Sequence, residues 1–440
     1  MTGVNSILAG AAKLVVPSAT ETAKVESVAE STLSRTNAAA SRFPQTRGAI
    51  LGGSFAKGTW IPKHADLDIF VKFDVGTPLA DFERIGLEVG ARATRGYPRG
   101  KMYAQHPYTE AAIDGIKVNI VPCFDVVKGE WKSAADRSPF HVELVRGLTQ
   151  EQKTQVRMLK SFMNGVGVYG AEIERRGFSG YVAEVLVMKR GGFQDVLKWF
   201  AAYELPGDGK AFTLPDPVDE KRDLGIAVSG ESLGRMVLAS RGFLSTPTMA
   251  YFRRMSGRER PSLRREVVAV LFSHKPLSED TLWGELRRTT RHVVRNLEVR
   301  GFVIARSMAA SDNRSSSAIL LVPESTTLPQ TEQRVGPTVD RRKDLASFIA
   351  ANSKGSKLLW VDDDARVRML IPRKYTELSL TISDLAKGKA GPVGASRELE
   401  AGMKKGVRVL SGKSLARAAS SAGWLQDGIR EITTDAIGAS

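Results

Sequence analysis

Residues 51–73 read LGGSFAKGTWIPKHADLDIFVKF. The order is a glycine turn, a short helix start, a loop and a strand. Gly52-Gly53-Ser54 leaves backbone N–H groups free in a tight turn, which suits a polyphosphate. Lys57 adds a compact positive charge close by. The run Leu67-Asp68-Ile69-Phe70-Val71 has the β-branched and aromatic content of a strand. Asp66 and Asp68 are two apart, so a strand projects both from one face. Two carboxylates held side by side repel each other unless a cation lies between them. A hard divalent ion carrying a nucleotide's phosphates fits such a pair.

The chain has 440 residues, a length that suggests two to four domains. Lysine and arginine number 64 against 48 acids, a net charge of +16. The isoelectric point is near 9.9. That excess points to a polyanionic partner. Cys123 is the single cysteine, so no intrachain disulfide can form. A reducing, cytoplasmic setting fits. No apolar run reaches the length of a membrane span. Residues 7–16 are mildly apolar but hold Lys13, lack a basic leader and stop at Pro17, so they do not read as a signal peptide.

A helix is expected from Ser18 to about Ser41, opened by Ser18 and Glu21 at capping-box spacing. A first strand follows over 47–51, and after the quoted stretch a helix over 78–94 carries Phe82, Ile85, Leu87 and Val89. Asp114-Gly115 is a two-residue turn signal between strands at 108–113 and 116–124. That turn sets Ile113 opposite Ile116 and Glu110 opposite Asn119. Ile116, Val118 and Ile120 then share one face, and Lys117, Asn119 and Val121 the other. Thr149 and Gln152 open the next helix, with Val156, Leu159, Met163 and Val166 as its apolar stripe. Arg157, Lys160 and Asn164 lie on its other side.

Farther on, 253–265 is dense in arginine and broken by Pro261. Residues 283–300 read as an amphipathic helix with Leu286, Val293, Val294 and Leu297 inward. Arg287, Arg291 and Arg295 step by four on another face, either a solvated row or a track for RNA phosphates. Strands are expected at 302–305 and 319–322 around a polar loop at 311–317. A hairpin at 358–361 and 367–371 turns on Asp362-Asp363-Asp364, which reads as a turn tip rather than a metal site. A flexible loop is expected at 388–394. There is no short repeat, zinc pattern or P-loop.

Gly-Ser followed twelve residues on by Asp-x-Asp on a strand resembles the nucleotidyltransferase superfamily that includes polymerase β. The fuller strings narrow this. GSFAKGTW, DLDIFVKF, KSAADRSPFH at 132–141, YGAE at 169–172, RGFSGY at 176–181 and DPVDEKR at 216–222 resemble the archaeal-type, class I CCA-adding tRNA nucleotidyltransferases. Beyond Phe252 the likeness is one of order and spacing.

The resemblance implies an α+β multidomain chain. A polymerase-β-like nucleotidyltransferase head with a mixed sheet and helices would occupy 1–145. A helical middle domain would follow over 146–265, and an α/β, tRNA-binding C-terminal part over 266–440. The implied reaction adds C, C and A to the 3′ end of tRNA from CTP and ATP, without a nucleic-acid template. The 3′-hydroxyl attacks the α-phosphate in line and pyrophosphate leaves. Asp66 and Asp68 would hold Mg²⁺. Gly53, Ser54, Lys57, Lys160 and Tyr169 would bind the triphosphate. His141 and Arg222 would position the nucleotide, with Arg176 as a further phosphate or RNA contact. Arg287, Arg291 and Arg295 would help grip the acceptor and T arms of tRNA. No membrane partner is implied, and a homodimer is left open.

One position departs from the pattern. The family's strand VDVVPCY reads VNIVPCF here, so Asn119 stands where the third metal-binding aspartate belongs. An amide oxygen can coordinate a metal but brings no charge and accepts no proton. Glu110, directly opposite, either supplies the missing charge or is an exposed strand acid. The expectation is a slow enzyme. Two alternatives remain: a catalytically impaired tRNA-binding descendant, and another terminal nucleotidyltransferase such as a poly(A)-type polymerase. The asparagine that follows the base-reading arginine in the family is Asp223 here, which bears on how Arg222 is placed.

Overall fold

The computed structural model of the chain describes residues 2–62, 65–204, 212–253, 267–392 and 394–433. The described residues fall into two compact units, 2–253 and 267–433. It is an α+β, multidomain fold.

The first unit opens with α1 (Thr2–Val15) and α2 (Ala19–Ala40). Then come β1 (Thr46–Gly52), α3 (Gly53–Lys57), β2 (Asp66–Phe73) and α4 (Leu79–Ala93). β3 (Arg99–Tyr103), β4 (Pro107–Ile113) and β5 (Ile116–Phe124) complete a five-stranded sheet of order β1-β2-β5-β4-β3. β2 and β5 pair in parallel and the other neighbours antiparallel, so the sheet is mixed. The reason for its burial is alternation. Leu67, Ile69, Val118 and Ile120 point into one core with Phe82, Ile85 and Val89 of α4 and Val25 and Val28 of α2. Asp66, Asp68 and Asn119 are therefore left on the opposite face. The hairpin register is the expected one, Glu110 opposite Asn119. β3 carried no signal in the sequence reading. It is an edge strand of mostly exposed residues, so it has no apolar alternation to read.

α5 (Ser138–Arg146), α6 (Gln150–Gly165), α7 (Gly180–Arg190), α8 (Phe193–Ala201) and α9 (Gly230–Ser245) follow. α6 starts on the expected Thr149–Gln152 capping box. A second core joins α6 to α9, with Phe162, Phe193, Phe243 and Phe252 at its centre. Ala11 and Val15 of α1 belong to this core, so the mildly apolar stretch near the start is a packed helix.

The second unit begins at β6 (Val268–Ser273), α10 (Glu279–Glu298), β7 (Ile304–Ser311), β8 (Ser316–Pro323) and β9 (Thr331–Thr338). α11 (Arg342–Asn352), β10 (Leu358–Val361), β11 (Arg366–Pro372), α12 (Leu378–Ala386), α13 (Arg397–Lys405), β12 (Arg408–Ser411), α14 (Gly412–Ser420) and α15 (Gly423–Thr433) complete it. Its larger sheet has the order β12-β6-β8-β7. Val268, Val270, Ile319 and Leu321 pack on one face with α10 and α12, and Ala269, Ala318 and Leu320 on the other with α15. Burial on both faces explains why VAVLF and AILLV read as unbroken apolar runs.

The polar loop expected at 311–317 is shorter. Ser311 and Ser317 pair as strand residues, and Asp312 Oδ1 accepts the N–H of Arg314, Ser315 and Ser316 at 2.8–2.9 Å to make the turn. The strand expected to start at 302 starts at Ile304. β10, β11 and β9 form a separate three-stranded sheet, with Asp362–Asp364 at the hairpin tip as expected. Loop 388–394 lies between α12 and α13. On α10, Arg291 and Arg295 are exposed and Arg287 is half-buried. Beyond Arg253, the arginine-dense stretch lies outside the described residues. Among the described residues, no helix is long and apolar enough to cross a membrane.

Candidate active site

The parallel pairing of β2 with β5 sets Asp66 beside Lys117 and Asp68 beside Asn119. Asn119 Nδ2 donates to Asp68 Oδ1 at 2.9 Å. Asn119 Oδ1 is buried and has no hydrogen-bond partner among the described residues. Burial raises the Asp68 carboxyl above the usual range; the bond from Asn119 opposes this and the neighbouring charge of Asp66 adds to it. Asp66 itself is exposed. A methyl on Gly53 would lie 2.0 Å from Asp68 Oδ2, and Gly53 has φ of +64°. Only glycine lets the start of α3 approach the carboxylate this closely.

Two carboxylates and an orphaned amide oxygen are all hard oxygen donors, and they fit a divalent cation. Among the described residues no group of three or more His, Cys, Asp or Glu comes together, so the third donor here is neutral. Glu110 does not replace it directly. Its carboxylate binds Lys117 Nζ at 2.9 Å. Burial lowers the Lys117 ammonium's pKa, but Glu110 outweighs that and holds it raised. Glu110 thus neutralises a lysine that stands beside Asp66 and Asp68.

Lys57 and Lys160, expected at the triphosphate, meet on a buried acid. Lys57 Nζ lies 2.9 Å from Glu184 Oε2 and Lys160 Nζ lies 2.8 Å from Oε1. Thr59 Oγ1 donates to Glu184 Oε1 at 2.5 Å and accepts from Lys160 at 3.0 Å. Burial pushes the Glu184 carboxyl up, yet the two ammoniums and these bonds more than offset it and hold it at about 2. Arg157 and Lys160, expected on the side of α6 away from its apolar stripe, are both buried. Arg157 donates to Trp60 O at 3.2 Å and Gly58 O at 2.7 Å, and Lys160 donates to Thr59 O at 3.2 Å. The charged side of α6 clamps the segment that follows α3. Tyr169 reaches the same place: a methyl on Gly180 would lie 2.9 Å from the Tyr169 hydroxyl and 3.4 Å from Lys160 Nζ. Burial raises the Tyr169 phenol, which stays protonated.

His141 and Arg222, expected to position the nucleotide, meet on a second acid. Asp216 Oδ2 takes His141 Nε2 at 3.2 Å and Arg222 Nη1 at 3.3 Å. Asp216 Oδ1 accepts the Tyr181 hydroxyl and the N–H of Val218, each at 2.9 Å. The His141 and Tyr181 rings stack at 3.8 Å. Burial lowers the pKa of His141, with Asp216 opposing. Burial raises the Asp216 carboxyl, but His141, Val218 and Tyr181 hold it well below the usual range. Asp223 Oδ1 accepts the N–H of Leu214 and Gly225, both at 2.8 Å, closing the loop that carries Arg222. That is work an asparagine oxygen does equally well, so Arg222 keeps its support. Arg176 stands apart: it is exposed with φ of +52°, and no hydrogen bond or ion pair links its side chain to these clusters among the described residues. Arg287, Arg291 and Arg295 belong to the second unit.

Three family models match the chain in order. They are a nucleotidyltransferase domain over 36–141, a tRNA nucleotidyltransferase second domain over 154–253 and a CCA-adding enzyme C-terminal domain over 264–412. The CCA-adding enzyme of Pyrobaculum islandicum is 36% identical over 401 residues, covering 86% of this chain and 93% of that protein. The chain belongs to the CCA-adding enzyme family. The CCA-adding enzyme of Methanothermobacter thermautotrophicus is 32% identical over 397 residues, covering 85% of this chain and 86% of that protein. A solved structure of a cytoplasmic RNA terminal U-transferase aligns at 11% identity and a TM-score of 0.45, covering 58% of this chain and 100% of that one, too loosely to carry an argument.

As a CCA-adding enzyme the chain is a nucleotidyltransferase that completes tRNA ends, and neither alternative is better supported. Nucleotidyltransferases generally use a divalent metal. Sequence reasoning did not single out Glu184, Thr59, Asp216 and Tyr181 as site residues. Asp216 and Tyr181 stood inside quoted strings, so a signal was present. Glu184 interrupts the apolar run VAEVLV in α7, and a lone acid in such a run is the trace it left.

Proposed function

We propose that Asp66, Asp68 and the Asn119 amide oxygen hold Mg²⁺ for CCA addition, and that the two buried acid clusters seat CTP and ATP. The observation that carries this reading is the orphaned Asn119 Oδ1 beside the half-buried Asp68. All-oxygen donors favour a hard ion such as Mg²⁺. When bound, the ion supplies Lewis-acid stabilisation of charge on the phosphates and a lowered pKa for the attacking hydroxyl.

The chain's own residues do the rest. Gly53 and Ser54 bring backbone close to the carboxylates, and Lys57, Lys160 and Tyr169 offer donors to the triphosphate. Arg222 and His141 are braced by Asp216 against the base. Arg176 is a more peripheral phosphate or RNA contact. The domain borders we adopt are 145 and 265, with the part beyond 265 gripping the acceptor and T arms by shape and phosphate. Arg291 and Arg295, exposed on α10, are the favoured phosphate contacts. The cytoplasm suits a single buried cysteine, Cys123. A homodimer is the assembly to check, by light scattering of the same preparation.

Purified protein incubated with tRNA lacking its CCA end, Mg²⁺ and labelled CTP and ATP should add two C and one A. Long A tails, or no transfer at any Mg²⁺ concentration, would overturn the reading.

A further inference from the structure

Glu184 is buried to 1% exposure, and the reading above gives it no task. Both its oxygens are engaged by lysines that are themselves 7% and 1% exposed, Lys57 and Lys160. An ammonium has three N–H donors. Lys160 has spent all three, on Glu184 Oε1, Thr59 O and Thr59 Oγ1. Lys57 spends one on Glu184 and lies 4.7 Å from the centre of the Tyr181 ring. Two ammoniums thus share one carboxylate, which leaves one positive charge in excess in a place nearly closed to water.

We propose that Glu184 is a resident counterion for the polyphosphate subsite. It holds Lys57 and Lys160 together and charged before a nucleotide binds, and competes with the phosphates for them when one does. This rests on the reading that those lysines bind the triphosphate. The physical need is clear. A buried ammonium without an anion deprotonates or swings out to water. A site that waits empty for a polyanion must keep an anion of its own. Position supports the role. Tyr181 and Glu184 are three apart on α7, so they lie on one helix face. Tyr181 binds Asp216 on the base side, while Glu184 binds the lysines on the phosphate side. Glu184 is a positioning residue, because it acts through the lysines.

The test is calorimetric titration of magnesium pyrophosphate into the full chain, with melting temperatures alongside. Glu184→Gln removes the competing charge at constant shape. It should melt lower without ligand, bind pyrophosphate on the order of 10-fold tighter, and gain more melting temperature from pyrophosphate than the natural protein. Glu184→Asp keeps the charge and should retain the natural affinity. A purely structural Glu184 would lower the melting temperature and leave affinity unchanged or weaker, which overturns the proposal. If Glu184→Gln does not fold, Lys160→Met is compared with Lys160→Met/Glu184→Gln, which loses a buried pair with no net charge change. The double variant should bind pyrophosphate the tighter of the two, and equal or weaker binding overturns the proposal. Lys57→Met separates the two levels. If it leaves pyrophosphate binding unchanged, the reading of the lysines fails and the proposal with it. If it weakens binding while Glu184→Gln does not strengthen it, only the counterion role falls.

Discussion

Asn119 donates its amide N–H to Asp68 Oδ1 across the parallel β2–β5 pair, at 2.9 Å. The bond fixes which end of the amide faces the carboxylate. A flip would set oxygen against oxygen, so Asn119 Oδ1 is held away from Asp68 and offered as a neutral acceptor. The asparagine relieves repulsion in a site where burial already raises Asp68. It does so by giving up a charge that a cation would use.

Asn119→Asp should reverse that exchange. Without metal the variant gains a second carboxylate against Asp68 and should melt lower. Divalent titration should stabilise it more than the natural protein. Transfer should speed up on the order of 10-fold or more, since loss of a positioned base or a full metal charge costs about 10²–10⁴. Glu110→Ala frees Lys117 toward Asp66 and should raise the Mg²⁺ needed for half-maximal rate a few-fold, with Lys117→Ala restoring it. An unchanged rate in Asn119→Asp would remove the third-ligand argument. An unchanged Mg²⁺ requirement in Glu110→Ala would remove the indirect role of Glu110.

Asp68→Ala should abolish transfer while tRNA affinity stays within a few-fold, because RNA grip is assigned mainly to the part beyond 265. Gel-shift binding of tRNA to the variant checks this. A large loss of affinity would show that the β2 carboxylates contribute to RNA binding rather than to chemistry.

The His141–Asp216 pair predicts an acid limb in stability. Burial holds the folded pKa of His141 below the ordinary histidine value of about 6.5. A depressed pKa contributes stability that is present above the unfolded value and lost as pH falls through the folded one. Unfolding free energy should therefore decline as pH drops below about 6.5. Chemical denaturation across that range should show a flatter profile for His141→Asn. An identical acid limb in the variant would contradict the assignment.

The arginine row on α10 is tested by salt. Each phosphate contact given up should flatten the slope of log affinity against log salt by roughly 0.7–0.9. Changing Arg287, Arg291 and Arg295 together to Ala should flatten it by about two contacts' worth, since two of the three are exposed. An unaltered slope would make the row a solvated face.

Local chemistry determined much of this molecule from the sequence alone. Alternation and a two-residue turn are short-range rules, so β2, the β4–β5 register and the pairing of Glu110 with Asn119 were legible before any coordinates. Capping at Thr149 and the inward stripe of α10 were legible for the same reason. The strings from Ser54 to Arg222 carried the family. Only the tertiary structure decided what each charge touches. Lys57 and Glu184 are 127 residues apart, and His141 and Asp216 are 75 apart. A charged residue's sequence neighbours say nothing about a counterion brought in by a distant element. That is why the sequence carried no sign that Lys160 is buried against Glu184, or that Glu110, a candidate for the missing charge, is bound to Lys117.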